Sequence, residues 1–353
     1  MPSYLGSSFA FIAPISAGVA AGGTDKSAGM ALALGGVVFT GAVLILVGLI
    51  VRAAGIGWIN SLMPPVVTGA IVFVIGLNLA GVAKSQFNGT AGTSPVSTAY
   101  IIGLITLGSI ALFTVLSKGI ISRISIFLGL ATGYISASLL GYVDYKGVKE
   151  AAWFGTPEFA TPKFQFSVMV IFLPVVLVLI AENVGHVKAV AAMTGKDLDG
   201  QMGNALMADG VATTIAGIGG GSGTTTYAEN IGVMASSRVY STAAYWIAGV
   251  GAILLGLSPK FGALLAATPM GALGGAGTAL FGMIGVLGAR IWIESKVDFS
   301  NPINLLVVAS TLVIGIADYS WKQGSYSFNG IVNATLVAVL GYHVLNFLAK
   351  LRK

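Results

Sequence analysis

The stretch "TTTYAENIGVMASSR" at residues 224–238 places hydroxyl, β-branched and aromatic residues directly before an acid and a short apolar segment. Such residues favour extended backbone. The apolar piece at 225–236 is too short, and too rich in Gly, Ser and Thr, to cross a bilayer by itself. The stretch therefore predicts a short strand that runs into a half-length helix, which is tolerated at membrane depth only inside protein or beside a cavity.

A second stretch repeats this pattern near the start of the chain. "SSFA" at 7–10 and "TTYA" at 225–228 each pair two hydroxyl residues with an aromatic and an alanine, and each leads into an apolar half-helix. Two broken helices in corresponding positions indicate the midplane binding site of a repeat-built transporter. We expect residues 5–9 and 224–228 to lie side by side as antiparallel strands. Chance similarity between two short strings is the alternative.

Composition favours a membrane protein. Of the 353 residues, 56% are hydrophobic and only 8% are charged, and the mean hydropathy is +0.91, which is unlike an ordinary soluble domain. The 50 glycines suit helices that pack closely in lipid. The absence of cysteine excludes disulfides and thiolate metal sites.

Apolar segments of about the length needed to span a bilayer, roughly 20 residues, follow one another closely. The sequence therefore predicts an all-α polytopic membrane protein. The predicted spans are 28–51, 64–83, 97–116, 119–141, 165–188, 202–220, 239–257, 262–287, 302–318 and 329–349. A polar stretch at 141–164 is predicted to be an external loop or a break between two halves.

The basic residues predict the orientation. The formal charge is +6, but the basic residues are scattered singly between apolar spans, which indicates anchoring at the membrane surface rather than nucleic-acid binding. If the span with His186 ends in the cytoplasm, eleven of the 18 Lys and Arg residues face inward. This distribution favours a cytoplasmic C-terminus, and the expected location is the cell (inner) membrane, crossed several times.

Ionisable residues inside apolar spans are candidate functional groups, because their burial is expensive. Glu182 and His186 are four residues apart and so share one helix face. Glu229 follows the second helix break. Asp209 is a weaker candidate, because its place early in a span favours the cytoplasmic side. For each acid, a hydrogen bond that only holds helices together is the alternative.

Two motifs resemble the signatures of the nucleobase–ascorbate transporter family, also called nucleobase–cation symporter 2. They are "AENVGH" at 181–186 and "TTTYAENIGVMASSRVYST" at 224–242, and "YLGSSFAFIAP" at 4–14 resembles the stretch that opens the third helix of the family. In this family, uracil and pyrimidine permeases carry Glu-x-x-Gly-His and a Glu at the head of the second signature. His186 and Glu229 therefore make the chain resemble the pyrimidine permeases of this family.

The resemblance implies fourteen segments in two inverted repeats of seven, divided between a core and a gate domain. Residues 1–150 would form an incomplete first repeat (segments three to seven) and residues 151–353 the second (segments eight to fourteen). The two breaks are offset by 218 residues, from position 7 to position 225. The first-repeat counterpart of Glu182 would then fall before residue 1, so the first two segments are predicted to be missing. Whether Met1 is the true start stays open.

The chemistry of uracil fits the candidate residues. Glu182 and Glu229 can accept hydrogen bonds from its two N–H groups, and backbone N–H groups at Phe9 and Ala228 can donate to its carbonyls. Phe9 and Tyr227 are the predicted aromatic walls. By resemblance, Phe281 lies where uracil permeases carry a Tyr near the site.

The predicted mechanism is uracil–proton symport by alternating access. A buried carboxyl and a histidine are groups whose charge changes with their environment, so Glu182 and His186 are the candidates for proton coupling. The expected partners are a pyrimidine nucleobase, a proton, the lipid bilayer and, as an open alternative, a second copy of the chain. No cofactor, metal or nucleic acid is expected.

Several alternatives stay open. They are a truncated fragment that does not transport, a purine or other carrier of the same fold, a different pyrimidine such as thymine, and sodium coupling. An intramembrane hydrolase is disfavoured because His186 and His343 are the only histidines and neither HExxH nor GxSxG is present.

Overall fold

The computed structural model describes residues 2–89, 96–157, 159–227, 230–231, 233–234, 238–323 and 326–351. The described chain is mostly helical. Its first eight α-helices are α1 (Ile12–Ala21), α2 (Lys26–Ala54), α3 (Gly57–Leu62), α4 (Pro65–Asn78), α5 (Ala80–Asn88), α6 (Val96–Leu116), α7 (Ile120–Arg123) and α8 (Ser125–Leu139). The next eight are α9 (Lys146–Glu150), α10 (Phe166–Thr194), α11 (Met202–Ile218), α12 (Thr242–Gly256), α13 (Pro259–Ala266), α14 (Met270–Glu294), α15 (Pro302–Ile316) and α16 (Gly330–Leu351).

Short elements connect these helices. The strands are β1 (Leu5–Ser7), β2 (Thr224–Thr226), β3 (Trp321–Gln323) and β4 (Tyr326–Phe328), and 3-10 turns cover Phe9–Phe11 and Asp199–Gln201. The sequence did not predict β3 and β4, which pair antiparallel between α15 and α16. The rings of Trp321 and Phe328 stack at 5.8 Å between centroids across this hairpin.

Six helical segments within the described residues are long and apolar enough to cross a bilayer, and one of them combines α4 and α5. They are Lys26–Ala54, Pro65–Asn88, Ser97–Leu116, Phe166–Thr194, Met270–Glu294 and Gly330–Leu351. The pair α12 and α13 is apolar too but is bent by 83°, so the described residues hold up to seven candidate spans. Shorter apolar helices, α8 and α15 among them, accompany these. The chain is therefore a multi-pass membrane protein.

The predicted span at 262–287 is wrong. Helix α13 ends at Ala266 and α14 begins at Met270, so the predicted span covers parts of two helices. Pro269 is extended, with ψ at 138°, and the residue before a proline is disfavoured in the helical region. The residues that flank this break are all small or apolar, so the hydropathy stays high across it. Hydropathy alone therefore does not reveal that a helix ends here.

Two groups of helices can be distinguished by their contacts, and one buried hydrophobic cluster runs through both. In the first, α2 contacts α1, α10 and α11. In the second, α14 contacts α4, α5, α6 and α8, while α15 and α16 pack on α4. Helix α10 also reaches α4 and α16, so it lies where the two groups meet.

Glycines allow backbone contact between α2 and α11. A Cβ added to Gly210 would lie 2.7 Å from the carbonyl oxygen of Gly41, and one added to Gly203 would lie 2.8 Å from that of Gly48. Any side chain larger than hydrogen would therefore push these two helices apart. Small residues at membrane helix crossings permit this kind of approach, which explains part of the glycine content.

The predicted pairing of the two broken segments is confirmed. Strands β1 and β2 are antiparallel, with Gly6 opposite Thr225, and the N–H of Ser8 donates to the Gly223 carbonyl at 2.9 Å. The first strand is shorter than predicted. Ser8 accepts a hydrogen bond from the N–H of Ala10 through its side chain, and this cap starts the 3-10 turn, which includes Phe9.

The polar stretch at 141–164 is hydrogen-bonded to two helices that are distant in the sequence, α13 and α2. The N–H of Lys260 on α13 donates to the carbonyl of Ala152, and its ammonium lies 5.0 Å from the centre of the Trp153 ring. Further along, the N–H of Lys163 donates to the carbonyl of Ala31 on α2 at 2.8 Å. The stretch therefore lies against the protein instead of extending away from it.

Candidate functional site

Helix α10 presents Glu182 and His186 to strand β2. The hydroxyl of Thr225 donates to Oε2 of Glu182 at 2.9 Å. The hydroxyl of Thr226 shares a hydrogen bond of 2.6 Å with Nδ1 of His186. Both α10 side chains are half-buried. Their four-residue spacing places them on one helix face, and that face lies against the second helix break.

Asp209 on α11 also bonds to β2, and the prediction that it faces the cytoplasm is wrong. Its side chain is fully buried, with 0% exposure. One carboxyl oxygen accepts from Nδ2 of Asn183 at 2.6 Å, and the other accepts from the hydroxyl of Thr224 at 2.9 Å. The face of α11 that carries Asp209 also carries Thr213, whose hydroxyl bonds to that of Thr224 at 2.9 Å, so this face packs on the strand.

Asn183 is a residue that sequence reasoning missed. It lies inside the "AENVGH" motif, yet it points away from Glu182 and toward α11, because neighbouring residues on a helix face different directions. Its Nδ2 donates to Asp209 and to the carbonyl of Leu179 at 3.0 Å. Its Oδ1 is buried and has no hydrogen-bond partner within the described part of the chain.

Phe9 and Phe281, the predicted apolar residues of the site, contact each other. Their rings meet edge to face, with centroids 5.5 Å apart and an interplanar angle of 84°. Phe281 is 7% exposed and packs with Leu79 and Ala83, and Phe9 packs against this cluster. Phe9 therefore connects the first broken segment to α5 and α14.

Tyr227 follows β2 directly and is held against β1. Its hydroxyl donates to the carbonyl of Ser7 at 2.5 Å, and its N–H donates to the carbonyl of Tyr4 at 3.3 Å. Its ring covers Gly6, where an added Cβ would lie 2.7 Å from the ring. The tyrosine therefore closes one end of the strand pair.

An open cavity of about 570 Å³ lies beside Tyr227 and Tyr4. Its further lining consists of Asn230, Val233, Met234, Val239, Ala244, Tyr245 and Ala248. None of Glu182, His186, Phe9 or Phe281 belongs to this lining, so Tyr227 is the predicted site residue, among those the structure describes, that borders the cavity.

Two predicted site residues, Ala228 and Glu229, lie outside the described residues. The expected backbone donor at Ala228 and the expected closeness of Glu229 to Glu182 therefore stay predictions. Among the described residues, the structure brings Glu182, His186 and Tyr227 to the strand pair. It brings Phe9 and Phe281 to each other.

A family model with the description "Permease family" matches residues 1–324. The chain belongs to this family, the nucleobase–ascorbate transporters. Transporters of this family are permeases rather than enzymes.

Several relatives align with most of the chain. RutG of Escherichia coli (strain K12), which is named as a pyrimidine permease, is 45% identical over 347 residues, which are 96% of this chain and 77% of RutG. A uracil permease of Paenibacillus larvae is 39% identical over 362 residues, which are 100% of this chain and 84% of that protein. The uracil permease of Escherichia coli (strain K12) is 39% identical over 96% of this chain and 78% of its own length.

Solved structures of other transporters share the fold. The transmembrane domain of the cyanobacterial bicarbonate transporter BicA superposes with a TM-score of 0.60 at 16% identity, covering 96% of this chain and 83% of that domain. SLC26A9 gives a TM-score of 0.62 at 12% identity, covering 97% of this chain and 57% of that protein. At these identities the likeness concerns the fold alone.

Proposed function

We propose that the chain imports uracil or a related pyrimidine nucleobase by proton-coupled symport with alternating access. The observation that carries this proposal is the placement of Glu182 and His186 against the paired strands of two broken helices. Relatives named as uracil and pyrimidine permeases support the substrate class.

The substrate would bind between polar and apolar surfaces. Uracil is a small planar ring with two N–H donors and two carbonyl acceptors. Glu182 supplies an acceptor, and Glu229, which follows β2 in the sequence, is the proposed second one. Backbone N–H groups at Phe9 and Ala228 are the proposed donors. Phe9, Phe281 and Tyr227 would cover the faces of the ring.

Proton coupling would use the same carboxyl and imidazole. Moving a net charge through the membrane interior is costly, so a protonated Glu182–His186 pair would let the loaded site change its accessibility. His186 already shares a hydrogen bond with Thr226, which links the imidazole to the strand beside the substrate.

The two helix groups would move relative to each other during transport. We assign the group around α2 to the core domain and the group around α14 to the gate domain. Each domain would take helices from both repeats, residues 1–150 and residues 151–353. The packing within each group and the limited contact made by α10 between them support this assignment. We further propose an inner-membrane location with the C-terminus in the cytoplasm.

Uptake into liposomes tests this proposal. Purified protein in liposomes with an inward proton gradient is expected to accumulate radiolabelled uracil, and a protonophore is expected to abolish the accumulation. Unlabelled uracil should compete more strongly than xanthine. Glu182→Gln, which replaces an acceptor oxygen with a donor, should lose uptake, whereas Glu294→Gln at the exposed end of α14 should retain it.

The result distinguishes the alternatives. Stronger competition by xanthine would favour a purine carrier of the same fold. Uptake that follows a sodium gradient and ignores the protonophore would replace proton coupling with sodium coupling. A folded protein without uptake of any nucleobase would refute transport by this chain.

A further inference from the structure

Strand β2 consists of three consecutive threonines, and each hydroxyl bonds to a different ionisable side chain. Thr224 donates to Asp209, Thr225 donates to Glu182, and Thr226 bonds to His186, at 2.9, 2.9 and 2.6 Å. A β-branched residue has few side-chain rotamers. Three such residues in one strand therefore hold three hydroxyls in fixed directions.

The strand needs fixed contacts of this kind. It pairs with β1 over only three residues, and a two-stranded ribbon of this length is marginal by itself. Thr225 lies opposite Gly6, which offers no side chain across the strand pair. The bonds from its hydroxyls to neighbouring helices therefore add to the pairing with β1 in holding the strand in place.

Asp209 is the most deeply buried of the three partners. It is fully buried and accepts from both Asn183 on α10 and Thr224 on β2. Its neighbour Gly210 lies against Gly41 of α2 in backbone contact. The carboxyl therefore joins the strand to α10 and to the closely packed pair of α2 and α11.

We propose that the threonine strand is a positioning element for the substrate site, with Thr225 orienting Glu182 and Thr226 orienting His186. The inference rests on the proposed function, because it assumes that Glu182 meets the substrate. A long Glu side chain loses considerable rotamer freedom when it is ordered. A hydroxyl that donates to Oε2 restricts the rotation of the carboxylate and therefore the directions in which it accepts hydrogen bonds.

Two substitutions at Thr225 separate the hydroxyl from the shape of the side chain. Thr225→Val keeps the β-branched shape and removes the donor, whereas Thr225→Ser keeps the donor. The uracil Kd, measured by calorimetry in detergent, is expected to rise about tenfold in Thr225→Val, which corresponds to about 1.4 kcal/mol, and to return toward wild type in Thr225→Ser. The control is Thr40→Val, whose buried hydroxyl bonds to the Gly36 carbonyl of its own helix.

Infrared spectroscopy provides a readout that needs no substrate. The carboxyl bands of Glu182, assigned by their loss in Glu182→Gln, are expected to shift in Thr225→Val and not in Thr225→Ser. If Thr225→Val does not fold, Thr225→Ala serves as the variant without a hydroxyl. Shifted bands in a protein that binds no uracil would support the positioning role and refute the proposed substrate.

Two outcomes would overturn the inference. One is a Thr225→Val protein whose uracil Kd and Glu182 bands both equal those of the wild type. The other is a Thr225→Ser protein that is as impaired as Thr225→Val, which would show that the shape of the side chain matters and its hydroxyl does not.

Discussion

Replacing Asp209 with alanine is the sharpest test of how the strand is held. The substitution removes the acceptor for two buried donors, Nδ2 of Asn183 and the hydroxyl of Thr224. A buried donor left without a partner costs about 1–3 kcal/mol. The second N–H of Asn183 would be left without a partner, whereas the Thr224 hydroxyl keeps its bond to the Thr213 hydroxyl. We therefore expect Asp209→Ala to lower the free energy of unfolding by about 1–3 kcal/mol.

A double-mutant cycle isolates the bond between Asn183 and Asp209. The single variants Asn183→Ala and Asp209→Ala each break it, so the loss in the double variant is expected to be smaller than the sum of the single losses by about 0.5–3 kcal/mol. Asp199→Ala is the control, because that acid is exposed in the turn before α11.

The assay is equilibrium unfolding of the purified protein in mild detergent, followed by tryptophan fluorescence. The m-value should stay unchanged across the variants, so that a shifted midpoint reports stability. Additive single losses would show that Asn183 and Asp209 act independently. An Asp209→Ala protein as stable as Asp199→Ala would refute the role of the carboxyl as the anchor of β2.

Two further predictions concern other regions of the molecule. Gly210→Leu is expected to lower the melting temperature and to weaken uracil binding, because even a Cβ there would lie 2.7 Å from the Gly41 carbonyl oxygen. The control for thermal unfolding is Gly282→Leu, because Gly282 on α14 has open space around it. Hydrogen bonds from the hydroxyl and N–H of Ser300 hold the pKa of Asp298 below its usual range, so Ser300→Ala should raise that pKa in a carbon-13 NMR titration. The carboxylate is exposed, and its stabilising effect is present above the unfolded pKa and is lost as the pH falls through the folded one. An unchanged titration would show that the hydroxyl of Ser300 has no effect.

The paired strands were predictable because their signal is local. Hydroxyl, β-branched and aromatic residues recur at 7–10 and 225–228 in the same order, and the strands that they predict pair with each other. The spacing of Glu182 and His186 was equally informative, because four residues on a helix fix a common face.

Other features depend on contacts that no local pattern records. Asp209 appeared to be near the surface because its position along the span says nothing about which neighbours cover it, and α10 and β2 bury it fully. The roles of Asn183 and Thr225 depend on how α10 is rotated against the strand. The sequence did not predict the helix end at Ala266, because the hydropathy of the segment is high on both sides of Pro269 and carries no information about the backbone break there.

The glycine crossing of α2 and α11 has a consequence for how the protein assembles. At Gly41 and Gly48 an added Cβ would meet both backbone atoms of α11 and the side chains of Thr214 and Met207, so little room is left for a misaligned pair. A shift by one residue, about 1.5 Å along the axis with a rotation of about 100°, would bring Asp209 or Val211 to the place of Gly210, where even a Cβ would meet backbone atoms of α2. A relative shift of the two helices would have to carry larger side chains past these close contacts, so the crossing favours a single register of α2 against α11.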